Sequence, residues 1–311
     1  MTHKKVWASL SLAALAACSS PGMSPRFSSA AVPATRNLTV ATAARDVRTS
    51  NRTLYISYLE SNSVAVYARD VPPATRMITT GVSSPEGIFV DAKGTLYVTN
   101  TDIPIGHFTV TEYPDGASQP SVTIATTYKP LSVVVDSKGR LYVGGITNHT
   151  IVINEYAVGG TTPIKTVFPT TIVGSPFMGG LAVDQSDNLY ASFFMYDHPP
   201  SHVVKFGPNL RQEKELQLAG LDNIDLNPGL GIDASGNLYV GGTANGINVY
   251  PPGSKNPVRS LSAGFSQYFA VGADGSVYDP ETVFVDEFAP GATEPTAQFE
   301  DARYPVGAAI R

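Results

Sequence analysis

The stretch "VDAKGTLYVTN", residues 90–100, decides the fold, because the chain repeats it three more times with small changes. Each copy reads as an apolar strand, an Asp-x-x-Gly turn and a second strand that opens with Leu-Tyr. The aspartate can accept hydrogen bonds from the turn backbone, and the glycine supplies the positive φ that the turn needs. Asp187 replaces this glycine once, and Asp visits positive φ more readily than most residues. The further copies are "VDSKGRLYVGG" (135–145), "VDQSDNLYASF" (183–193) and "IDASGNLYVGG" (232–242).

The tyrosine of the second strand marks a longer repeat. It recurs at intervals of 39 to 49 residues, at Tyr55, Tyr97, Tyr142, Tyr190, Tyr239 and Tyr278. A repeat of this length with several strands in each unit is typical of a β-propeller, and a β-sandwich with coincidental spacing is the alternative. Each unit reads as four strands, A to D from the centre outwards. Because the tyrosine holds the same place in every unit, we expect it to pack between blades rather than to bind a ligand.

The two ends of the chain are incomplete in complementary ways. The first unit has its strand B, "RTLYISY" (52–58), with no strand A before it. The last residues, "YPVGAAIR" (304–311), read as a strand A with no strand B after it. We therefore predict an all-β, six-bladed β-propeller of four-stranded blades. Its ring would be closed by the C-terminal strand 305–311, which becomes the innermost strand of the first blade and removes an open edge.

The motif P-x-G-I-x-V-D-x-x-G-x-L-Y-V, read at residues 85–98, resembles the NHL-type repeat. More broadly, residues 50–311 resemble the six-bladed group of SMP-30-type gluconolactonases and strictosidine-synthase-like proteins. The resemblance implies a propeller and says little about activity. The sequence also departs from the NHL pattern, in which Asp and Asn follow Tyr-Val. Here the corresponding pairs are Thr99-Asn100, Gly144-Gly145, Ser192-Phe193 and Gly241-Gly242.

The first residues have the character of an export signal. Lys4 and Lys5 precede an apolar run over residues 6–17, which ends in Leu-Ala-Ala-Cys at Cys18. This ending resembles the bacterial lipobox, whose cysteine is lipidated, and an ordinary secretory signal is the alternative. Several acyl chains anchor a protein stably, since each buried methylene adds about 0.8 kcal/mol. The sequence thus predicts a lipoprotein signal peptide (1–17), a flexible Ser/Ala/Pro-rich tether (18–45) and the propeller (46–311), anchored in the bacterial cell envelope at the outer membrane or cell surface.

Composition excludes several classes of function. The formal net charge is −5 and the basic residues are scattered, which argues against nucleic-acid binding. Cys18 is the only cysteine, so no intramolecular disulfide can form. No G-x-S-x-G sequence is present, and a serine hydrolase therefore has no support.

A group of histidines and carboxylates follows the second strands. We expect the B–C and D–A connections to share one face of the propeller, and this B–C face carries the longer, irregular loops. All four histidines beyond the leader are predicted in B–C loops, in three adjacent blades. With nearby carboxylates they could bind one divalent ion, calcium or zinc, although solvated loop residues would give the same pattern. The set is His107, His149, His198, His202, Asp102 and Asp197.

A second candidate set precedes the inner strands, at the predicted mouth of the central channel. Glu86 is the only charged residue at its position in the six copies, and Asp225 and Asn227 precede the fifth strand A. The resemblance to gluconolactonases implies a metal held by Glu, Asn and Asp, but the Trp expected after that Glu is absent from "PEGIF" (85–89). The alternative is a set of turn caps with a glutamate that faces water.

These observations favour a membrane-tethered, extracytoplasmic binding or interaction module that uses its B–C face. Its partner could be a protein, a peptide or a small molecule, besides the membrane that lipidated Cys18 would enter. The resemblance implies an alternative, a lactonase-like, metal-dependent hydrolase or lyase with its metal at the same face. Whether the protein is an enzyme stays open at the level of sequence.

Overall fold

The structure is a computed structural model. It describes residues 52–68, 70, 72–102, 107–147, 150–169, 176–195, 201–221, 228–243, 245–264, 266–300 and 303–311. Within these ranges no helix is long and apolar enough to cross a membrane. The strands are β1 (Thr53–Tyr58), β2 (Ser63–Ala68), β3 (Arg76–Ile78), β4 (Pro85–Val90), β5 (Leu96–Asp102), β6 (His107–Tyr113), β7 (Val122–Thr126), β8 (Lys129–Val135), β9 (Leu141–Thr147), β10 (Thr150–Tyr156), β11 (Pro163–Val167), β12 (Pro176–Val183), β13 (Leu189–Met195), β14 (His202–Gly207), β15 (Arg211–Leu216), β16 (Leu230–Ile232), β17 (Leu238–Thr243), β18 (Gly246–Tyr250), β19 (Arg259–Leu261), β20 (Ala270–Val271), β21 (Val277–Pro280), β22 (Phe284–Phe288), β23 (Ala297–Glu300) and β24 (Pro305–Ile310).

These strands form six antiparallel sheets of four strands, arranged in a ring as a six-bladed β-propeller, as the sequence predicts. Blade 1 has the order β24-β1-β2-β3, and each later blade uses four consecutive strands, from β4–β7 in blade 2 to β20–β23 in blade 6. The innermost strand of each blade contacts the innermost strand of the next blade. These inner strands are, in ring order, β24, β4, β8, β12, β16 and β20.

The closure of the ring in blade 1 is also confirmed. Strand β24 pairs antiparallel with β1, with Leu54 opposite Ile310 and Tyr55 opposite Ala309. Two backbone hydrogen bonds extend the pairing, from Thr53 N to Arg311 O (3.0 Å) and from Arg311 N to Thr53 O (3.1 Å). The two ends of the chain are therefore joined in one sheet, and β1 has an inner neighbour like the second strand of every other blade.

The Asp-x-x-Gly turns have the predicted geometry. Oδ1 of Asp91 accepts hydrogen bonds from the backbone N–H groups of Lys93 (2.9 Å) and Thr95 (2.8 Å). The turns at Asp136, Asp184 and Asp233 repeat this pattern. Gly94 has φ +88°, and Asp187 adopts φ +61° where the other copies have glycine.

The strand-B tyrosines pack between blades, as predicted. Tyr97, for example, lies in one apolar cluster with Val133 and Val143 of the following blade. In blades 3 to 5 the hydroxyl donates to the turn aspartate, as from Tyr239 to Asp233 Oδ2 (3.2 Å). Burial, followed by the charge of Asp233, raises the pKa of Tyr239 to about 12, so this phenol stays a donor at neutral pH.

Neighbouring inner strands touch backbone to backbone near the B–C face. A Cβ added at Gly307 would lie 2.7 Å from the carbonyl oxygen of Glu86 in the next blade. A Cβ at Gly87 or Gly229 would lie within 3.0 Å of the carbonyl oxygen of Leu131 or Gln267. These positions therefore require glycine because of close approach, with no demand for positive φ.

We expect Gly87→Ala to lower the free energy of unfolding by about 1–3 kcal/mol, because the new methyl group forces two inner strands apart. Gly116→Ala is the matched control, since Gly116 has φ +74° and open space around its Cβ position. Its free energy of unfolding should fall by only about 1 kcal/mol, the cost of placing alanine at a positive φ. Urea unfolding of the two variants checks this, and an equal loss in both would contradict a tight inner ring.

Candidate functional site

Glu86 is the second residue of the inner strand of blade 2 and forms an ion pair across the blade boundary. Its Oε1 accepts a hydrogen bond from Lys129 Nζ, at the start of the inner strand of blade 3, at 3.0 Å. Both side chains are largely buried, with exposures of 13% for Glu86 and 25% for Lys129. The prediction singled out Glu86 and missed the lysine. An ion pair that is partly shielded from water contributes more to stability than an exposed pair. This contact therefore fixes both side chains at the B–C end of the inner ring.

Tyr268 lies at the same end of the inner ring, in blade 6. Its side chain is buried, and its hydroxyl has no hydrogen-bond partner among the described residues. Burial and then the negative charge of Glu86 raise its pKa well above the ordinary value, and the neighbouring Gln267 amide offsets this only in part. The phenol is therefore a neutral donor close to Glu86. An unmet buried donor costs about 1–3 kcal/mol, so this hydroxyl is a local source of instability in blade 6.

Asp279 is a buried carboxyl between blades 5 and 6. Ser266 Oγ donates to its Oδ2 at 2.8 Å. Burial, followed by the charge of Glu281, raises the pKa of Asp279 well above the ordinary value, and Asp286 opposite it on β22 adds to the rise. Glu281 is held in place by the Gly264 N–H, which donates to its Oε1 at 2.7 Å. The carboxyl of Asp279 therefore keeps its proton at a pH where exposed carboxyls are ionised.

These residues depart from what the other blades place at the same positions. Tyr268 stands where the inner strands otherwise have glycine or serine: Gly87, Ser132, Gly180, Gly229 and Gly307. Asp279 stands where strand B otherwise buries an aliphatic residue: Ile56, Val98, Val143, Ala191 and Val240. A position-by-position comparison of the six repeats in the sequence reveals both departures. Departures from a consistent repeat are expected where function competes with stability.

The inner strands surround an axial cavity of about 290 Å³. Gln267 and Tyr268 line it towards the B–C face, and Ser137 and Gln185 line it at the level of the A–B turns. Between these levels each of the six inner strands contributes one aliphatic residue to the wall: Val90, Val135, Val183, Ile232, Val271 and Ile310. The cavity lining therefore combines aliphatic side chains with polar residues, among them Asp184.

The predicted metal ligands fall into pairs where the structure describes them. Asp102 and His107 are cross-strand neighbours that close the β5–β6 hairpin. His202 Nδ1 lies 2.5 Å from Glu215 Oε1 of the outer strand β15. Both histidines are the first residues of their strands, whereas the sequence placed them in loops, because the hairpin pairing extends further than the loop composition indicated. His149, His198 and Asp197 lie outside the described residues.

Among the described residues, no three His, Cys, Asp or Glu side chains come together as a group that could hold a metal ion. The pairs alone do not fit a metal centre, and we derive no reaction through one. The metal set stays a prediction, because half of its members are not described. Asp225 and Asn227 of the channel-mouth set, and Cys18 with the whole leader and tether, also lie outside the described residues.

Comparison with known proteins supports the fold and goes no further. No protein-family model matches the chain, and no curated protein sequence matches it. Among solved structures, the chain is similar to a protein of unknown function from Bacteroides caccae, with 13% identity over 84% of this chain and 99% of that one and a TM-score of 0.61. It is similar to a chain of the nidogen/laminin complex, with 15% identity over 83% and 98% and a TM-score of 0.62. It is also similar to a functionally unknown protein from Desulfotomaculum acetoxidans DSM 771, with 14% identity over 82% and 83% and a TM-score of 0.56. At such identities they show the fold alone.

We expect Asp279→Val to stabilise the protein at neutral pH. The unfolded chain ionises Asp279 near the ordinary pKa of about 3.9. The folded chain retains the proton to higher pH, so stability falls as pH rises from the ordinary pKa towards the raised one. Valine removes this dependence, and the free energy of unfolding at pH 7 should rise by about 1–3 kcal/mol. Urea unfolding between pH 4 and pH 8 measures the change.

Asp184→Val is the control of opposite sign. Burial alone would raise the pKa of Asp184, but hydrogen bonds from Asn188, Ser186 and Tyr190 outweigh burial and lower it. Its stabilisation is therefore present above the ordinary pKa and is lost as pH falls through the lowered one. This variant should be destabilised at pH 7 and less so in acid. A loss of stability at pH 7 in Asp279→Val would refute the account of Asp279.

Proposed function

We propose that this protein is a binding module, anchored in the bacterial cell envelope through lipidated Cys18, which engages its partner with the B–C face of the propeller. One observation carries the proposal. The residues that break the repeat pattern, Glu86, Tyr268 and Asp279, lie at the B–C ends of their strands, while the A–B turns of blades 2 to 5 keep one pattern. Variation on a constant scaffold is how propellers and other rigid folds present binding residues.

The A–B face supports this division, because its polar groups are engaged with one another. The Ser137 N–H donates to Asp187 Oδ1 at 3.0 Å, and Lys138 Nζ lies 3.0 Å from Asp187 Oδ2, so that two neighbouring turns are tied together. Gln185 Nε2 likewise donates to Ala234 O in the next blade at 2.6 Å. These contacts leave fewer free donors and acceptors for a large partner on that face.

The B–C face offers exposed side chains of mixed character. Glu60, Ser61 and Asn62 are exposed in the first B–C turn. Val283 in the last B–C turn is 45% exposed, and Tyr304, just before the closing strand, is also 45% exposed. An exposed aromatic beside polar groups is typical of protein and peptide interfaces, so a protein or peptide is the partner that this surface fits.

Photo-cross-linking tests the face. A benzophenone amino acid at Val283 or Tyr304 of the full-length chain should give covalent adducts in cells, detected by intact mass. The same residue at Val158 or Val258, both exposed in connections between strands C and D on the opposite face, should give several-fold less. Adducts confined to positions 158 and 258 would overturn the assignment of the binding face.

Cys18→Ser tests the anchor. We expect it to abolish incorporation of labelled palmitate and to move the protein from the membrane fraction to the soluble envelope fraction, because one serine cannot hold acyl chains. Ser19→Ala is the matched control and should stay membrane-bound. Membrane retention of Cys18→Ser at the level of the unaltered protein would refute lipid anchoring.

A further inference from the structure

The B–C turn of blade 6 is held against the connection that enters this blade from blade 5. Glu281 begins the turn, and its backbone N–H donates to Phe284 O at 2.8 Å. Its carboxylate reaches the connection, where Oε1 accepts a hydrogen bond from Gly264 N at 2.7 Å. A Cβ added at Gly264 would overlap both oxygens of this carboxylate, so the carboxylate is seated directly on the glycine. The same turn carries the exposed Val283 of the B–C face.

The buried carboxyl of Asp279 lies next to Glu281 and has one unmet oxygen. Its side chain has no exposed surface, and Ser266 Oγ donates to its Oδ2 at 2.8 Å. No donor reaches the buried Oδ1 among the residues that the structure describes. An ionised oxygen in this place is costly, whereas a protonated one becomes a donor and needs only an acceptor. The Glu281 carboxylate is the acceptor within hydrogen-bond reach.

The other groups around Asp279 also favour its protonated form. The strands that pack against β21 are β20, β22 and β24, and only β22 carries ionisable side chains. Of these, Asp286 lies opposite Asp279, and Glu287 lies one position further along. Gln298 Nε2 donates to Asp286 Oδ1 at 2.7 Å, so Asp286 has a donor of its own. Burial, then the charge of Glu281 and that of Asp286 raise the pKa of Asp279.

We propose that Asp279 and Glu281 share one proton, and that this proton clasps the B–C turn of blade 6 to the connection from blade 5. With the proton in place, Asp279 Oδ1 donates to the Glu281 carboxylate, which stays on Gly264 N. When the proton leaves to solvent, two carboxylates face each other. Glu281 is the more exposed of the two, so it turns out towards water and releases Gly264.

The sign of the pH dependence follows from the buried carboxyl. A group whose pKa is raised by folding contributes most in acid, and its contribution is lost as the pH rises through the raised value. The clasp is therefore closed in acid and opens as the pH rises through the raised pKa of Asp279. It gives the B–C face a pH-dependent shape, whether or not that face binds a partner.

Amide hydrogen exchange at Gly264, followed by NMR on the intact protein between pH 5 and pH 9, tests the clasp. The protection factor, which corrects for the pH dependence of exchange itself, should fall about tenfold over this range, because one charge-assisted hydrogen bond is lost. Asp279→Asn should keep Gly264 protected at every pH, since its amide group donates to Glu281 without a titrating proton. Glu281→Ala should leave Gly264 unprotected at every pH.

The amide of Ser137 is the matched internal control, because it also donates to a carboxylate of the neighbouring blade, Asp187 Oδ1 at 3.0 Å. Burial alone would raise the pKa of Asp187, but hydrogen bonds from Ser137 and Lys138 outweigh burial and lower it. Protection at Ser137 should therefore stay constant from pH 5 to pH 9.

Constant protection at Gly264 in the unaltered protein would overturn the clasp. An equal fall in Asp279→Asn would overturn the role of Asp279, and retained protection in Glu281→Ala would overturn that of Glu281. The first of these outcomes needs no variant, so the test does not depend on how either variant folds. None of them depends on the photo-cross-links that test the B–C face.

Discussion

The close approach of neighbouring inner strands is the constraint on which the propeller depends. At this point the backbone of one blade meets the backbone of the next, and a side chain larger than glycine or serine has no room on most of the strands. At Ser132 a hydrogen bond joins the two inner strands, because its Oγ accepts from Leu181 N at 2.9 Å. Blade 6 places Tyr268 there instead, and its neighbour in blade 1 compensates with Gly307, which pairs with it in a parallel bridge. The hydrogen bond from Ala308 N to Tyr268 O (2.8 Å) keeps the two strands together. The ring therefore accommodates Tyr268 because the facing residue, Gly307, is a glycine, which reduces the steric cost of the larger side chain.

The polar groups of the two faces are organised in different ways. On the A–B face they form a nearly continuous collar, in which each turn aspartate accepts bonds from its own turn and neighbouring turns are linked. Ala234 N donates to Ala273 O at 3.0 Å, and Arg52 in blade 1 donates to Ser276 Oγ of blade 6 at 2.9 Å. A collar of this kind fixes the spacing of the blades, and hence the diameter of the cavity that it surrounds. Among the residues that the structure describes, the B–C face has fewer bonds that recur from blade to blade, so these residues can differ without disturbing the spacing.

The sequence predicted the architecture because the information for it is local and repeated. The Asp-x-x-Gly turn, the following tyrosine and the incomplete ends specify six blades and their closure without any knowledge of distant contacts. The site residues could be predicted only in part. Glu86 was visible as a charge at an otherwise uncharged position, whereas its bond to Lys129 joins residues 43 positions apart and exists only because the ring brings two inner strands together. Tyr268 and Asp279 were missed because a search for what recurs passes over single departures. His107 and His202 were assigned to loops because composition cannot show how far a hairpin stays paired.

Two of the unusual residues, Glu86 and Tyr268, flank the strand at which the two chain ends are joined. Blade 1 is the one blade whose inner strand is not followed by its own strand B along the chain, so no turn connects β24 to β1. Polar contacts strengthen this place: Ser57 Oγ donates to Glu86 O at 3.0 Å, and Gly307 lies between Tyr268 and Glu86.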